Sequence, residues 1–224
     1  METLYEKNGL VFWTEREILL RDNFAKLFSD ELKETLKTLN SGFEFVRVEV
    51  SQLTPNELIS SSYTEDDVFR VDDELTLRPE TTMGSYVYAK HLLNAHNSRK
   101  IRMPLCVWQH GKSFRREQDK TLANMRLKEF YQLEFQIIFS KTTANDYYPA
   151  IVQAVSEMIA RAVAPTRVEA SDRLPSYATE TQDVVMLHND MEVCSISRRT
   201  DYENANVIEV AIGTDRCVYN YTTK

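Results

Sequence analysis

The sequence predicts an α+β fold, a single domain whose largely antiparallel β-sheet is flanked by helices. Three observations predict it. A long amphipathic stretch opens the chain, and several short apolar runs follow without regular strand–helix alternation. The 224 residues, 42% of them apolar, suffice to bury one sizeable core.

The elements follow in order. From Thr14 to Leu39, the residues Ile18, Leu19, Phe24, Leu27, Phe28, Leu32, Leu36 and Leu39 recur mostly three or four apart, with Glu and Lys between them. That period predicts a helix, ended by Ser41-Gly42. Phe43 to Val50 alternates and predicts a strand. Ser60 to Asp73 is polar and loop-like, and Thr81 to Leu93 reads as a helix. Ile101 to His110 and Phe130 to Phe139 read as strands enclosing the charged segment 111–129. Tyr147 to Val163 predicts a second long helix. Short apolar runs at Thr166–Ala170, Asp183–His188, Glu192–Ile196 and Val207–Ile212 fit strands. Gly213 ends the last of these, and Arg216 is expected on a following helix.

Composition narrows the function. Asp and Glu number 34 against 27 Lys and Arg, a net charge of -7, which argues against a general basic coat for nucleic acid. Cys106, Cys194 and Cys217 form no CxxC pair, so neither a disulfide framework nor a cysteine zinc site is supported, and no zinc is expected. No apolar run approaches the roughly 18 residues of a membrane span. The opening METLYEKNGLVFW lacks a basic stretch followed by an apolar one. The expectation is a cytoplasmic protein without a membrane partner.

Three stretches carry chemistry. In Ser113–Phe135, Arg115 and Arg126 stand apart on what reads as a hairpin, with Glu117 and Glu129 interleaved. Separated guanidinium groups suit a polyphosphate, because each bridges two oxygens, and Phe130 offers a face to a base. A solvated charged hairpin is the alternative. In Leu75–Gly84, Arg78-Pro79-Glu80 sets a charged pair around a fixed kink before a capped helix start at Thr81 and Thr82, although a plain loop-to-helix junction has the same look. In Val207–Arg216, Glu209 is a lone acid in an apolar strand, as are Glu192 and Glu134 in theirs. An unpaired buried charge is costly, so each needs a partner or a ligand. Three such acids on one sheet face would suit an ammonium group or a metal.

In this order the stretches resemble the catalytic core of class II aminoacyl-tRNA synthetases, specifically the homodimeric glycyl type. Helix 14–39 with strand 43–50 is similar to the first motif of the class, which forms its dimer interface. FRRE at 114–117 with MRLKEF at 125–130 is similar to the second, and IGTDR at 212–216 to the third. LRPETTMG at 77–84 resembles the glycyl signature LRPETAQG, and VCSISRRTDY at 193–202 resembles GIANRTDY. The resemblance runs over essentially the whole chain, so 1–224 is expected to be one catalytic domain, a minimal core without the family's anticodon-binding domain.

The resemblance implies ATP-dependent formation of an aminoacyl adenylate, with glycine as the expected amino acid, and transfer to the acceptor end of tRNA or to another acyl acceptor. It implies ATP and Mg2+ as cofactors and a homodimer. Carried over by position, Arg115 grips the α-phosphate and the reacting carboxylate, while Arg126 and Arg216 hold the triphosphate. Glu117 contacts adenine, Phe130 stacks on it, and Glu192 falls near the magnesium. Glu80, Glu134 and Glu209 surround the amino group, and Arg199 faces the amino-acid carboxylate. The sequence departs from the family at Ala211, where Ser is usual, at Val210 for Pro, at Arg116 for Asn and at Lys128 for Arg. The rival is a non-catalytic paralogue serving as a nucleic-acid-binding or polymerase accessory subunit. Retention of Arg115, Arg126 and Arg216 favours the enzyme.

Overall fold

The computed structural model describes residues 5–94, 102–116 and 124–223. A hairpin of β1 (Tyr5–Lys7) and β2 (Leu10–Phe12) comes first. Its two-residue turn needs positive φ at both positions, and Asn8 and Gly9 supply it at 58° and 77°. Helix α1 (Glu15–Leu39) follows. The Thr14 backbone N–H donates to the Glu17 carboxylate at 3.2 Å, closing the first turn. Asn40 ends the helix one residue before the predicted Ser41-Gly42: its N–H donates to Leu36 O at 2.9 Å.

The remaining strands are β3 (Glu44–Arg47), β4 (Leu53–Pro55), β5 (Phe69–Arg70), β6 (Leu75–Leu77), β7 (Leu105–Phe114), β8 (Glu129–Ser140), β9 (Thr166–Ala170), β10 (Ala178–Met186), β11 (Glu192–Arg199) and β12 (Ala205–Gly213). Helix α2 (Thr82–Asn94) precedes β7, α3 (Tyr148–Ala162) precedes β9, and α4 (Thr214–Thr223) follows β12. Seven strands form one sheet in the order β3-β7-β8-β12-β11-β10-β9, antiparallel except for the β3–β7 pair. Strands β4, β6 and β5 form a small separate sheet.

The two faces of the large sheet differ in chemistry. On one face Trp108, Phe135, Ile137, Ile196, Ile208 and Val210 meet Phe24, Phe28, Leu32 and Leu36 of α1, together with α3 and α4. Those α1 residues recur every four positions, so they share one stripe of the helix. Ile18, Leu19 and Leu27 lie off that stripe and remain exposed. On the other face Val107, Leu105, Ile138 and Val207 are covered by Tyr86 and Ala89 of α2. Farther along that second face the residues turn polar. Gln132, Glu134 and Gln136 of β8 lie opposite Gly213, Ala211 and Glu209 of β12, which in turn lie opposite Ser195 and Ser197 of β11.

Several predicted boundaries shift for physical reasons. Strand β7 runs on to Phe114, four residues into the segment read as a charged loop, because Gly111, Lys112 and Ser113 pair with β8. Strand β10 begins at Ala178 rather than Asp183, since ATETQ is polar and shows no apolar run. The predicted strand 43–50 is shorter, Glu44–Arg47. The predicted start at Ile101 lies outside the described residues. Among the described residues, no helix is long and apolar enough to cross a membrane.

Candidate active site

The polar half of that second face forms the floor of a cavity of about 470 Å3. Its walls are Tyr63, Glu80, Arg115, the 125–127 segment, the 171–177 loop and Arg216 at the start of α4. Ser62 Oγ and Ser176 Oγ meet at 3.2 Å and join two of these loops across the mouth.

At one end sit three buried carboxylates. Glu134 is wholly buried, and Glu80 and Glu209 nearly so. Glu134 accepts from Thr81 Oγ1 at 2.6 Å and from Gln136 Nε2 at 2.7 Å. Glu209 accepts from Gln136 Nε2 at 2.8 Å, from Thr82 Oγ1 at 3.1 Å and from Arg199 Nη1 at 2.5 Å. Glu80 accepts from the Tyr63 hydroxyl at 2.5 Å, and that hydroxyl accepts from Arg115 Nη2 at 3.0 Å. Burial raises the Glu80 and Glu134 carboxyls above the usual range, with neighbouring acids adding to it, and Glu134 is pushed up to about 8.

The segment carrying Glu80 is stapled by Arg78. This buried guanidinium donates to Lys112 O at 2.7 Å and Val50 O at 2.8 Å, and lies so close over Gly111 that a Cβ there would stand 2.4 Å from Nη2. Gln109 Nε2 donates to Thr81 O at 2.6 Å, fixing the next residue. Arg115 Nε donates to Pro79 O at 2.9 Å. The main chain around Glu80 is thereby tied to strand β7 on both sides.

The other end of the cavity is cationic. The Arg115 guanidinium lies 5.2 Å from the Phe130 ring centroid. Arg126 is exposed at the wall between buried Met125 and Leu127, which anchor its backbone. Arg216 donates to Glu192 O at 2.8 Å, with the Glu192 carboxylate at 3.8 Å. Asp215 beside it pairs with Arg21 of α1 at 3.2 Å and accepts from the Tyr131 N–H at 2.8 Å, which fixes the start of α4.

Sequence reasoning and structure meet unevenly. Arg115, Arg126, Arg216, Phe130, Glu80, Glu134, Glu192, Glu209 and Ala211 line one cavity. Glu192 reaches it because β11 carries one extra residue, Val193, between the partners of Val184 and Val185. Glu192 stands at the rim, apart from the three clustered acids, beside Asp183. Glu117 lies outside the described residues. Arg199 is paired with two acids next to the cluster. Its side chain is 6% exposed, donates to Glu209 and to Asp201 Oδ2 at 2.7 Å, and lies between the rings of Tyr86 and Tyr177. Burial works against its charge, yet Glu209 and Asp201 outweigh that and raise it further. The geometry makes Arg199 the counterion of Glu209. Tyr63, Thr81, Gln109, Gln136 and Tyr177 were missed. Gln109 and Gln136 carried the same signal as the acids, a lone polar residue in an apolar run.

Among the described residues, no group of three or more His, Cys, Asp or Glu side chains is arranged to hold a metal. Glu192 and Asp183 line the cavity together, and Glu192 contributes to raising the Asp183 carboxyl, after burial itself. A pair of carboxylates in a cavity that arginines also line would suit magnesium, which takes one or two protein ligands and completes its shell with phosphates and water.

The family model described as "tRNA synthetase class II core domain (G, H, P, S and T)" matches residues 63–218. Curated relatives include the glycine–tRNA ligase of Mycoplasmopsis synoviae strain 53, 27% identical over 139 residues that cover 61% of this chain and 29% of that protein. Another is the glycine–tRNA ligase of Mycoplasma capricolum subsp. capricolum, 27% identical over 171 residues, covering 62% and 37%. The chain spans about a third of the length of these relatives. Among solved structures, Giardia lamblia prolyl-tRNA synthetase in complex with prolyl-adenylate superposes with a TM-score of 0.73 at 15% identity, covering 97% of this chain and 48% of that one. Seryl-tRNA synthetase from Pyrococcus horikoshii complexed with ATP gives 0.69 at 17%, covering 95% and 52%. At these identities the likeness is one of fold.

The buried acids predict a loss of stability from mildly acid pH up to neutrality and just beyond. A carboxyl raised above its unfolded value gives stability that is fully present below the unfolded value, 4.5 for Glu134, and is lost as pH rises to the folded value, about 8. Thermal melts of the ligand-free protein should fall between those values, and Glu134→Gln should flatten the fall. A wild-type melting temperature that stays level across that window would contradict the buried cluster.

Proposed function

The chain belongs to the family of class II tRNA synthetase core domains, and from that premise we propose that it activates an amino acid with ATP, with glycine as the amino acid. The observation that carries this reading is the convergence of two opposite chemistries on one cavity. Arg115, Arg126 and Arg216, from separate stretches of the chain, line it together with Glu80, Glu134 and Glu209. An α-amino acid and a nucleotide triphosphate present that same pair of charges, an ammonium at one end and phosphates at the other.

In the proposed reaction a carboxylate oxygen of the amino acid forms a bond to the α-phosphorus. The bond from that phosphorus to the bridging oxygen breaks, and pyrophosphate leaves. The substrate carboxylate is the nucleophile, so the chain acts by position and charge. Arg115 neutralises the α-phosphate and meets the reacting carboxylate, a role left to it because Arg199 is spent on Glu209. Arg126 and Arg216 hold the β- and γ-phosphates, and Phe130 offers its ring to the base. The three acids fix the ammonium. Magnesium, which adds positive charge among the phosphates when bound, would be held by Glu192 with Asp183. The acyl group would then pass to the acceptor end of tRNA.

Amino-acid-dependent exchange of pyrophosphate into ATP tests the reading, with minihelix charging as its second stage. Glycine should support exchange, and Arg115→Ala should lower it about a hundredfold or more, the usual cost of one charge-stabilising donor. If no amino acid supports exchange and ATP does not bind, the core is a non-catalytic relative.

A homodimer is part of the same proposal. Helix α1 leaves Ile18, Leu19 and Leu27 exposed, the neighbouring hairpin adds Leu10 and Phe12, and β3 is an edge strand. Sedimentation at micromolar concentration should give twice the chain mass, and Leu19→Lys should weaken the association. A single-chain mass at every concentration would exclude it.

Position 211 bears on selectivity. Ala211 lies between Ser195 and Glu134 across the strands, so its methyl group is part of the cavity floor. A hydroxyl there would add one hydrogen bond, about 1 kcal/mol, and would crowd a substrate methyl. Ala211→Ser should tighten glycine and sharpen its discrimination from alanine and serine in exchange kinetics. Unchanged ratios would remove position 211 from the specificity filter.

A further inference from the structure

Gln136 has no part in the reaction just described. It is completely buried on β8, directly across from Glu209 and two residues along from Glu134. Its amide nitrogen donates to Glu134 Oε1 at 2.7 Å and to Glu209 Oε2 at 2.8 Å. Its Oε1 meets no donor among the described residues. That orientation gives both acids a donor, whereas the amide turned over would set its oxygen against the Glu209 carboxylate. A buried acceptor left unsatisfied costs free energy, and here the two hydrogen bonds to the acids outweigh it.

The charges around Glu134 can be counted element by element. Strand β12 brings Glu209, and the segment before α2 brings Glu80, both of the same sign. Arg199 of β11 is paired with Glu209 and Asp201, Arg115 donates to the Tyr63 hydroxyl that donates to Glu80, and both arginines act on Glu80 through their charge. Tyr177 approaches Glu209 at 3.5 Å. Arg78 also feels Glu134, but its guanidinium donates to main-chain oxygens and faces Glu49 as well. The groups that hydrogen-bond to Glu134 itself, Thr81, Gln136 and Thr82, are neutral. Among the described residues, Glu209 is the one of the three acids paired with a cation, Glu80 is held by Tyr63 with Arg115 behind it, and Glu134, the one wholly buried, is held by neutral groups.

We propose that Gln136 is a positioning residue that ties Glu134 to Glu209, and that Glu134 holds a proton until a ligand's ammonium group enters and displaces it. The inference rests on the reading of this cavity as an amino-acid site. The 2.6 Å contact with Thr81 serves both states, because a hydroxyl donates to a carboxylate and accepts from a carboxylic acid. The O–H bond of Glu134 is the only bond that breaks, its proton leaves to solvent through the cavity that Glu134 lines, and the ammonium takes over the positive charge. The raised carboxyl of Glu134 agrees with this order of events. Affinity for an ammonium should accordingly rise with pH as Glu134 loses its proton.

The test is calorimetric titration of glycine into the whole chain, in buffers of different protonation enthalpy, with ATP titrated separately. Wild type should release close to one proton per glycine at neutral pH. Gln136→Met fills the same space without the amide. It should bind ATP as wild type does, yet bind glycine about tenfold more weakly, the loss of hydrogen bonds to charged groups. Gln136→Glu should recover part of that affinity and move the midpoint of its pH dependence upward. Glycine bound without proton release overturns the proposal while the amino-acid reading stands. So does Gln136→Met with unchanged glycine affinity and pH midpoint. Wild type that binds ATP but no glycine overturns both. If Gln136→Met loses ATP binding as well, its fold has suffered, and the wild-type proton count decides alone.

Discussion

Burying Glu80, Glu134 and Glu209 together is the constraint to which the rest of the fold answers. At 4 Å two like charges repel by about 4 kcal/mol even at an effective dielectric near 20, and each also loses its hydration. The structure offsets this with donors drawn from distant parts of the chain: Tyr63 from a loop, Thr81 and Thr82 from the start of α2, Gln136 from β8 and Arg199 from β11. Each donor must itself be held. Arg78 and Gln109 hold the segment bearing Thr81, and Asp201 holds Arg199. The hydrogen-bond network thus reaches from the acids to the small sheet, to β7 and to the loop after β11.

The apolar side makes this network affordable. The face of the sheet opposite the acids is packed with apolar side chains against α1, α3 and α4, where Phe28, Leu36, Phe135, Ile137 and Ile159 are completely buried. Side chains on a strand alternate between faces, so a residue pair such as Glu134 and Phe135 serves both requirements at once. Strand β8 carries the alternation furthest, with Glu134 and Gln136 on the site face and Phe135 and Ile137 on the core face. On the site face itself α2 covers Leu105, Val107, Ile138 and Val207, which closes the acid end of the cavity to solvent from that side.

The scaffold was legible in the sequence where period decides the structure. The four-residue spacing of Phe24, Phe28, Leu32 and Leu36 marks α1, and β9 falls within the run read for it, Thr166–Ala170. The small β4–β6–β5 sheet was not legible, because strands of two or three residues leave no period to see. The acids of the site were legible for the converse reason: a charge inside an apolar run breaks the pattern. Gln109 and Gln136 break it too, but an amide is a weaker anomaly than a carboxylate. Tyr63 and Tyr177 lie in loops, where a tyrosine contradicts nothing. Only the folded chain brings Ser62 beside Ser176, 114 residues away, and with them the two tyrosines. Arg199 shows the limit of position-matching: the residue stands where expected, but its neighbours commit it to Glu209.

The choice of neutral donors around Glu134 matters more than their number. If a cation were paired to each of the three acids, the cluster would be stable and would have little attraction left for an ammonium. If no donor reached them, burial would hold all three protonated, and they would again offer a cation little. Thr81 and Gln136 leave the cluster between these limits. They satisfy the oxygens of Glu134 without cancelling its charge, so its ionisation is deferred rather than prevented. A hydroxyl and an amide can do this where Lys or Arg cannot, since their hydrogen bonds stabilise without contributing a full charge. The same reasoning explains why Arg199, set between Tyr86 and Tyr177, is paired with Glu209 and Asp201 while neutral donors are left to Glu134. Placed between the two acids, its guanidinium would occupy the position that the ligand's ammonium is proposed to take.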